Sequence, residues 1–149
     1  MYNIRRATLD DLAVIVDCNI RLARETENIQ LDHATVTCGV SEALIDENKA
    51  LYFIAETEAL VIGTLMVTYE WSDWRNGQIW WLQSLYVLPE WRRRSVFRAL
   101  YQHVYNLAKT NNVKGLRLYV ERNNTIAQAA YEQMGMIHSD YLMFERMPL

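Results

Sequence analysis

The order of hydrophobic patterns predicts an α/β fold, a mixed, mostly antiparallel central sheet with helices on both faces. Three observations carry this. Runs rich in β-branched and aromatic residues, separated by turn signals, fill the middle of the chain from Ala50 to Val87. Apolar residues at helical spacing precede that block and follow it. The last third then alternates strand-like and helix-like segments, which suits helices packed on a sheet. At 149 residues with 51% hydrophobic residues, one domain over residues 1–149 has enough apolar mass for a core.

Tyr2 to Arg6 reads as a short strand. Thr8 or Asp10 can cap a helix that carries Leu12, Ile15, Val16, Asn19, Leu22 and Ala23 on helical spacing and fades near Glu27. A second helical piece, roughly Asp32 to Glu47, contains Gly39 and β-branched residues, which predict a bend or break. Ala50 to Glu56 and Leu60 to Glu70 read as strands joined by a tight turn at residues 57–59. Asn76-Gly77 is the strongest hairpin signal, since a type I′ turn needs positive φ at both central residues. It joins the Leu60 strand to one running from Gln78 to Val87. A helix from Ser95 to Thr110 presents Val96, Leu100, Val104 and Leu107 on one face. Gly115 to Val120 is the next strand, and Asn124 to Met134 the last helix, with Gly135 placed to end it. Ile137 to Met147 predicts one long or two short final strands.

Charge and composition remove several function classes. A net charge of −3 argues against nucleic acid as a partner, because phosphate backbones select basic surfaces. No apolar run approaches the length of a membrane span, and the start MYNIRRATLDDL lacks the apolar core of a leader, so a cytoplasmic protein is expected. Cys18 and Cys38 lack metal or redox spacing and are expected to be free, buried thiols. His33, His103 and His138 are scattered and suggest neither a triad nor a metal site.

The chemistry concentrates between Trp81 and Tyr105, WLQSLYVLPEWRRRSVFRALYQHVY. A strand leads through Arg92, Arg93 and Arg94 into a helix start. The first N–H groups of a helix lack internal partners and carry partial positive charge, so this arrangement can hold an anion. The stretch resembles the acyl-CoA loop of the GCN5-related N-acetyltransferase (GNAT) family: Arg or Gln, two residues, Gly, one residue, then Gly or Ala. Arg92 falls on its first position, while Ser95 and Phe97 stand at the glycine positions. A second motif lies in ERNNTIAQAAYEQMGM, where Asn124, Ala127, Tyr131 and Gly135 match the family pattern. The order of elements is also that of the family, including fourth and fifth strands that splay apart.

The resemblance implies roles residue by residue. Backbone groups of Leu85, Tyr86 and Val87 would pair with the pantetheine arm of acetyl-CoA like an added strand. Arg92, Arg93, Arg94, Ser95, Val96, Phe97 and Arg98 would surround its pyrophosphate. Asn124 and Ala127 would meet the cofactor arm, and Tyr131 would protonate the departing thiolate. Ser95 can turn its hydroxyl to the ligand or to its own helix. No metal and no acyl-enzyme are implied.

An acceptor amine must lose a proton, and many relatives place a carboxylate on the fourth strand, where this chain has Gln83. If Asn76-Gly77 is a two-residue turn, Arg75 pairs with Gln78 and, counting back, Glu70 with Gln83 on the same face. Glu70 is then the candidate base or amine anchor, with Gln83 holding it or the attacked carbonyl. Trp71 and Trp74 flank it within YEWSDWRNGQIWW and suggest either an acceptor pocket or a dimer surface. Glu25 and Glu27, at the end of the first helix, could bind the amine. The sequence thus reads as an acetyl-CoA-dependent N-acetyltransferase acting on a small-molecule or peptide primary amine. The alternatives are an acyl-CoA sensor without turnover, or an interaction module forming a homodimer through its aromatic hairpin.

Overall fold

The structure, a computed structural model, describes residues 1–58 and 60–149. The expected turn at residues 57–59 therefore includes Ala59, which lies outside the described residues. The chain divides into two compact units, Met1–Tyr119 and Val120–Leu149.

The first unit is built on a sheet ordered β1-β2-β3-β4-β5. Its strands are β1 Asn3–Arg6, β2 Leu51–Thr57, β3 Leu60–Ser72, β4 Gly77–Val87 and β5 Gly115–Arg117. The first four are antiparallel neighbours, and β5 runs parallel to β4. Helices α1 Leu12–Glu27 and α2 His33–Ile45 cover one face through Ile15, Val16, Val40 and Ala43, which pack with Tyr52 and Ile54 of β2. Helix α3 Val96–Thr110 covers the other with buried Val96, Leu100 and Val104, and its His103 lies against Phe53 of β2. Alternation along β2 is what sends Tyr52 and Phe53 to opposite helices. Gly63 of β3 lets α3 approach closely, since a Cβ there would sit 3.1 Å from Val96 Cγ1 and 3.2 Å from Leu100 Cδ1 and Tyr86 O.

Local chemistry explains the helix ends. The Asp32 carboxylate accepts from Thr35 N–H at 2.9 Å and caps α2. That helix runs unbroken through Gly39, which is exposed, so the expected break does not occur. Neither Thr8 nor Asp10 caps α1 through its side chain. Instead a 3₁₀ turn, Leu9–Asp11, leads into it, and buried Asp11 accepts from Thr8 N–H at 2.8 Å and from both terminal nitrogens of Arg5 at 2.9 Å.

The hairpin departs from its expected form for a physical reason. The hairpin is not a two-residue turn: Ser72 pairs with Gly77, and the chain turns through residues 73–76. Short polar side chains stabilise the longer turn, with Ser72 Oγ accepting from Arg75 N–H at 3.3 Å and Asp73 from Trp74 N–H at 2.9 Å. Consequently Glu70 pairs with Ile79, and Gln83 with Met66. The offset is even, so Glu70 and Gln83 keep one face without lying opposite each other. Strand β5 ends at Arg117 rather than Val120.

The second unit contains one helix, α4 Thr125–Gln133. Its Asn124 Oδ1 accepts from Ala127 N–H at 3.2 Å, and Gly135 at φ 87 ends it with Met136 N–H bonded to Tyr131 O at 3.1 Å. The final strands expected from Ile137 to Met147 do not form. Strand-like composition needs a partner ladder to become a strand. No helix is long and apolar enough to cross a membrane among the described residues. Both cysteines are free, but Cys38 is exposed, contrary to expectation, while burial pushes the Cys18 thiol up to about 11.

Candidate active site

Strand β4 has two neighbours along only part of its length. Ile79, Trp80 and Trp81 pair with Gly115, Leu116 and Arg117, and there the parallel ladder stops. From Leu82 to Val87 the only ladder partner among the described residues is β3. A bulge falls inside this second part. Thr64 pairs with Tyr86 and Met66 with Gln83, so Ser84 and Leu85 together oppose Leu65, and Ser84 takes φ 49. Leu88 N–H bonds to Ile62 O across β3 at 2.9 Å, so the alternating backbone of Val87 faces the open edge.

Pro89–Trp91 then forms a 3₁₀ turn, and the basic loop runs into α3. Arg93 and Ser95 both hold positive φ, 58° and 65°. Ser95 thus takes the left-handed conformation for which glycine is usual, at some conformational cost. It makes no side-chain capping bond, so its hydroxyl is not spent on its own helix. The ladder of α3 opens with Ala99 N–H to Ser95 O at 3.0 Å, and the amides of the first turn are directed out of the helix end. The loop is braced from a distance: Tyr2 O–H donates to Arg94 O at 2.5 Å, and the Arg94 guanidinium lies 5.3 Å from the Trp91 ring centre. The Phe97 ring lies 6.1 Å from that of Tyr101, along α3.

From the basic loop, Arg92 ties β4 to α1. Its Nε donates to Val87 O at 3.0 Å and its Nη2 to Glu25 Oε2 at 2.6 Å, while the Tyr86 hydroxyl donates to Glu25 Oε1 at 2.7 Å. Burial pushes the Glu25 carboxyl up, but the bonds from Tyr86 and Arg92 outweigh it and hold it below the usual range. Burial, then the adjacent Glu25, raises the Tyr86 phenol to about 12.

The face of β3 and β4 toward α1 continues this polar row. Gln83 Nε2 donates to Thr68 Oγ1 at 2.5 Å. Glu70 accepts from the Trp81 indole at 3.0 Å and from Arg117 Nη1 at 2.6 Å. The expected Glu70–Gln83 pair is therefore replaced by Glu70–Arg117. Trp71 is not beside Glu70 either: next in the strand, it points to the opposite face and lines a cleft of about 730 Å³ with Tyr69, Gln78, Trp80, Leu107 and Asn111. Trp71 and Trp74 are 64% and 85% exposed, and Glu27, the last residue of α1, is exposed too. Trp81, part of the aromatic cluster expected around Glu70, does lie against it, whereas Tyr2 and Arg117 carry no sequence signal, because their contacts join segments far apart in the chain.

In the second unit, Asn124 and Ala127 are the cap and third residue of α4, which explains their spacing in the motif. Burial pushes the Tyr131 phenol above its ordinary value, so it stays protonated at neutral pH.

Comparison with known proteins gives a consistent picture. Residues 18–136 match the model of the Acetyltransferase (GNAT) family. A possible acetyltransferase from Clostridium difficile 630 is 42% identical, with 100% of this chain and 99% of that one covered and a TM-score of 0.93. A predicted acetyltransferase from Clostridium acetobutylicum, solved with acetyl-CoA, shares the fold at 19% identity, coverage of 98% and 96%, and a TM-score of 0.81. AAC(6')-Iy, solved in complex with the bisubstrate analogue CoA-S-monomethyl-acetylneamine, shares it at 18% identity, coverage of 100% and 99%, and a TM-score of 0.79. With its open β4 edge leading into a basic helix start, this chain belongs to the GNAT acetyltransferase family.

Proposed function

We propose that the protein transfers the acetyl group of acetyl-CoA to a primary amine by direct attack, without an acyl-enzyme. The observation that carries this is the second part of β4, a strand edge with no ladder partner among the described residues, which ends at Val87 shortly before the left-handed turn at Ser95. That edge suits the amides of a pantetheine arm, and the α3 start suits a pyrophosphate. Ser95 already holds the conformation that the glycine pattern calls for, so the residues present fit the ligand. Acetyl-CoA supplies an activated thioester carbonyl.

The residues divide the remaining work. Backbone groups of Leu85 to Val87 orient the ligand, and the amides and arginines from Arg92 to Arg98 neutralise its phosphates. The motif from Asn124 to Gly135 supports giving Tyr131 the role of proton donor to the departing sulfur. Glu70 is proposed to take the amine proton, with Arg117 and Trp81 fixing its orientation and Gln83 lining the same face. Glu25 and Glu27 supply negative charge for the acceptor. The reaction is assigned to the cytoplasm.

Thermal melting with acetyl-CoA tests the binding reading, and about 2.7 kcal/mol of stabilisation is expected at a hundred times Kd. Release of free thiol with a panel of small amines, polyamines, amino acids and peptides separates catalysis from mere sensing. Tyr131→Phe should lower turnover by about a hundredfold while leaving CoA affinity unchanged. Unchanged turnover removes Tyr131 from this role.

The exposed Trp71 and Trp74 favour a second, compatible reading, in which the hairpin tip docks a second copy of the chain. Sedimentation of the wild type against Trp74→Ser tests it, with a monomeric wild type counting against it.

A further inference from the structure

The Arg92 side chain occupies the place that an added strand would take. It satisfies Val87 O, the last carbonyl of β4, through Nε at 3.0 Å, and reaches across to Glu25 on α1 through Nη2 at 2.6 Å. Its guanidinium lies 5.3 Å from the centre of the Tyr86 ring. A ligand amide pairing with Val87 O competes with the first contact. A pyrophosphate at the α3 start competes for the second.

We propose that Glu25 is a latch on Arg92, which acetyl-CoA opens by drawing the guanidinium to its phosphates, so that the cofactor's arrival exposes a carboxylate on the acceptor side of β4. This rests on the reading that the loop before α3 binds acetyl-CoA.

The exchange is energetically feasible. The side chains of Arg92 and Glu25 are 44% and 38% exposed, and an ion pair so accessible to water shifts an equilibrium by no more than about fivefold. A pyrophosphate offers Arg92 more negative charge and two-point geometry. Glu25 does not swing away when Arg92 leaves, because the Tyr86 hydroxyl still donates to Oε1 at 2.7 Å. The other charged group near it is Arg21, one turn back on α1, which also reaches toward Tyr86 but whose Nε is held by Asp17 at 2.8 Å. The open latch is thus a carboxylate fixed at one oxygen and available at the other. It suits a cationic acceptor, and it appears only once the acyl donor is in place.

Calorimetric titration with CoA tests this on the wild type, Glu25→Gln and Arg92→Ala, each first checked for an unchanged melting curve. Glu25→Gln should bind CoA about three- to fivefold more tightly, because Arg92 no longer has a competing partner. Combined with Arg92→Ala, the same change should have no effect on CoA affinity. Near pH 5 the wild type should take up more protons on binding than Glu25→Gln, read as a buffer-dependent enthalpy, since loss of Arg92 lets the carboxyl rise toward its ordinary range. If the wild type does not bind CoA, the cofactor reading itself fails. If CoA binds but Glu25→Gln leaves affinity and proton uptake unchanged, or weakens binding, the latch alone is overturned.

Discussion

The two parts of β4 have similar composition and opposite duties. From Ile79 to Trp81 the strand has β3 on one side and β5 on the other, and Ile79 and Trp80 are buried at 3% and 5% exposure. From Leu82 to Val87 it loses the second neighbour, takes a bulge at Ser84, and ends against an arginine rather than a strand. The first part spends its backbone on the fold. The second keeps its outer edge for something else. The difference arises from β5, whose pairing ends at Arg117.

That contrast can be broken by substitution. In the first part, Ile79→Ala should cost about 3 kcal/mol of stability by urea denaturation. CoA affinity measured under folding conditions should not change. A loss of affinity equal to the loss of stability would show that the two parts are not separable. At the far end, Ser95→Val should do the reverse. A β-branched residue resists positive φ, so CoA affinity should fall about tenfold with little change in melting, whereas Ser95→Gly should match or exceed the wild type. If Val is tolerated, the left-handed turn is not what the ligand reads.

The smallest effect is a control remote from β4. Burial raises the Asp11 carboxyl, but its hydrogen bonds from Arg5 and Thr8 hold it below the ordinary value. A depressed pKa gives stability that is present above the unfolded value, near 4, and is lost as pH falls through the folded one. Asp11→Asn should therefore cost about 1 kcal/mol at pH 7, and the difference from wild type should shrink steadily below pH 4. Its effect on CoA affinity should be nil.

Legibility in the sequence followed the range of the interactions. Helix ends set by local bonds, such as Asp32 to Thr35 or the Gly135 stop, could be read from a few neighbouring residues. So could the basic loop and the Asn124–Ala127 spacing. The hairpin was misread because Ser72 and Asp73 stabilise a longer turn that competes with the Asn-Gly signal. That local contest moved the partner of Glu70 from Gln83 to Ile79. Contacts such as Tyr2 with Arg94, Glu25 with Arg92 and Glu70 with Arg117 join distant segments and leave no trace in any window. The strand-like pattern after Ile137 shows the converse, since propensity without a paired neighbour produced no strand.

Gly63 suggests how this protein can drift. Its backbone, opposite Val87, is the surface on which Val96 and Leu100 rest, and a methyl group there would also press on Tyr86 O at 3.2 Å. A methyl group there asks Val96, Leu100 and the β4 backbone to give by a few tenths of an ångström, and each larger side chain asks the first turn of α3 to move further. Serine can stand in for glycine at position 95 because that turn is exposed and has room to absorb strain. Position 63 has far less room, so the loop can be rewritten over generations more freely than the floor beneath it.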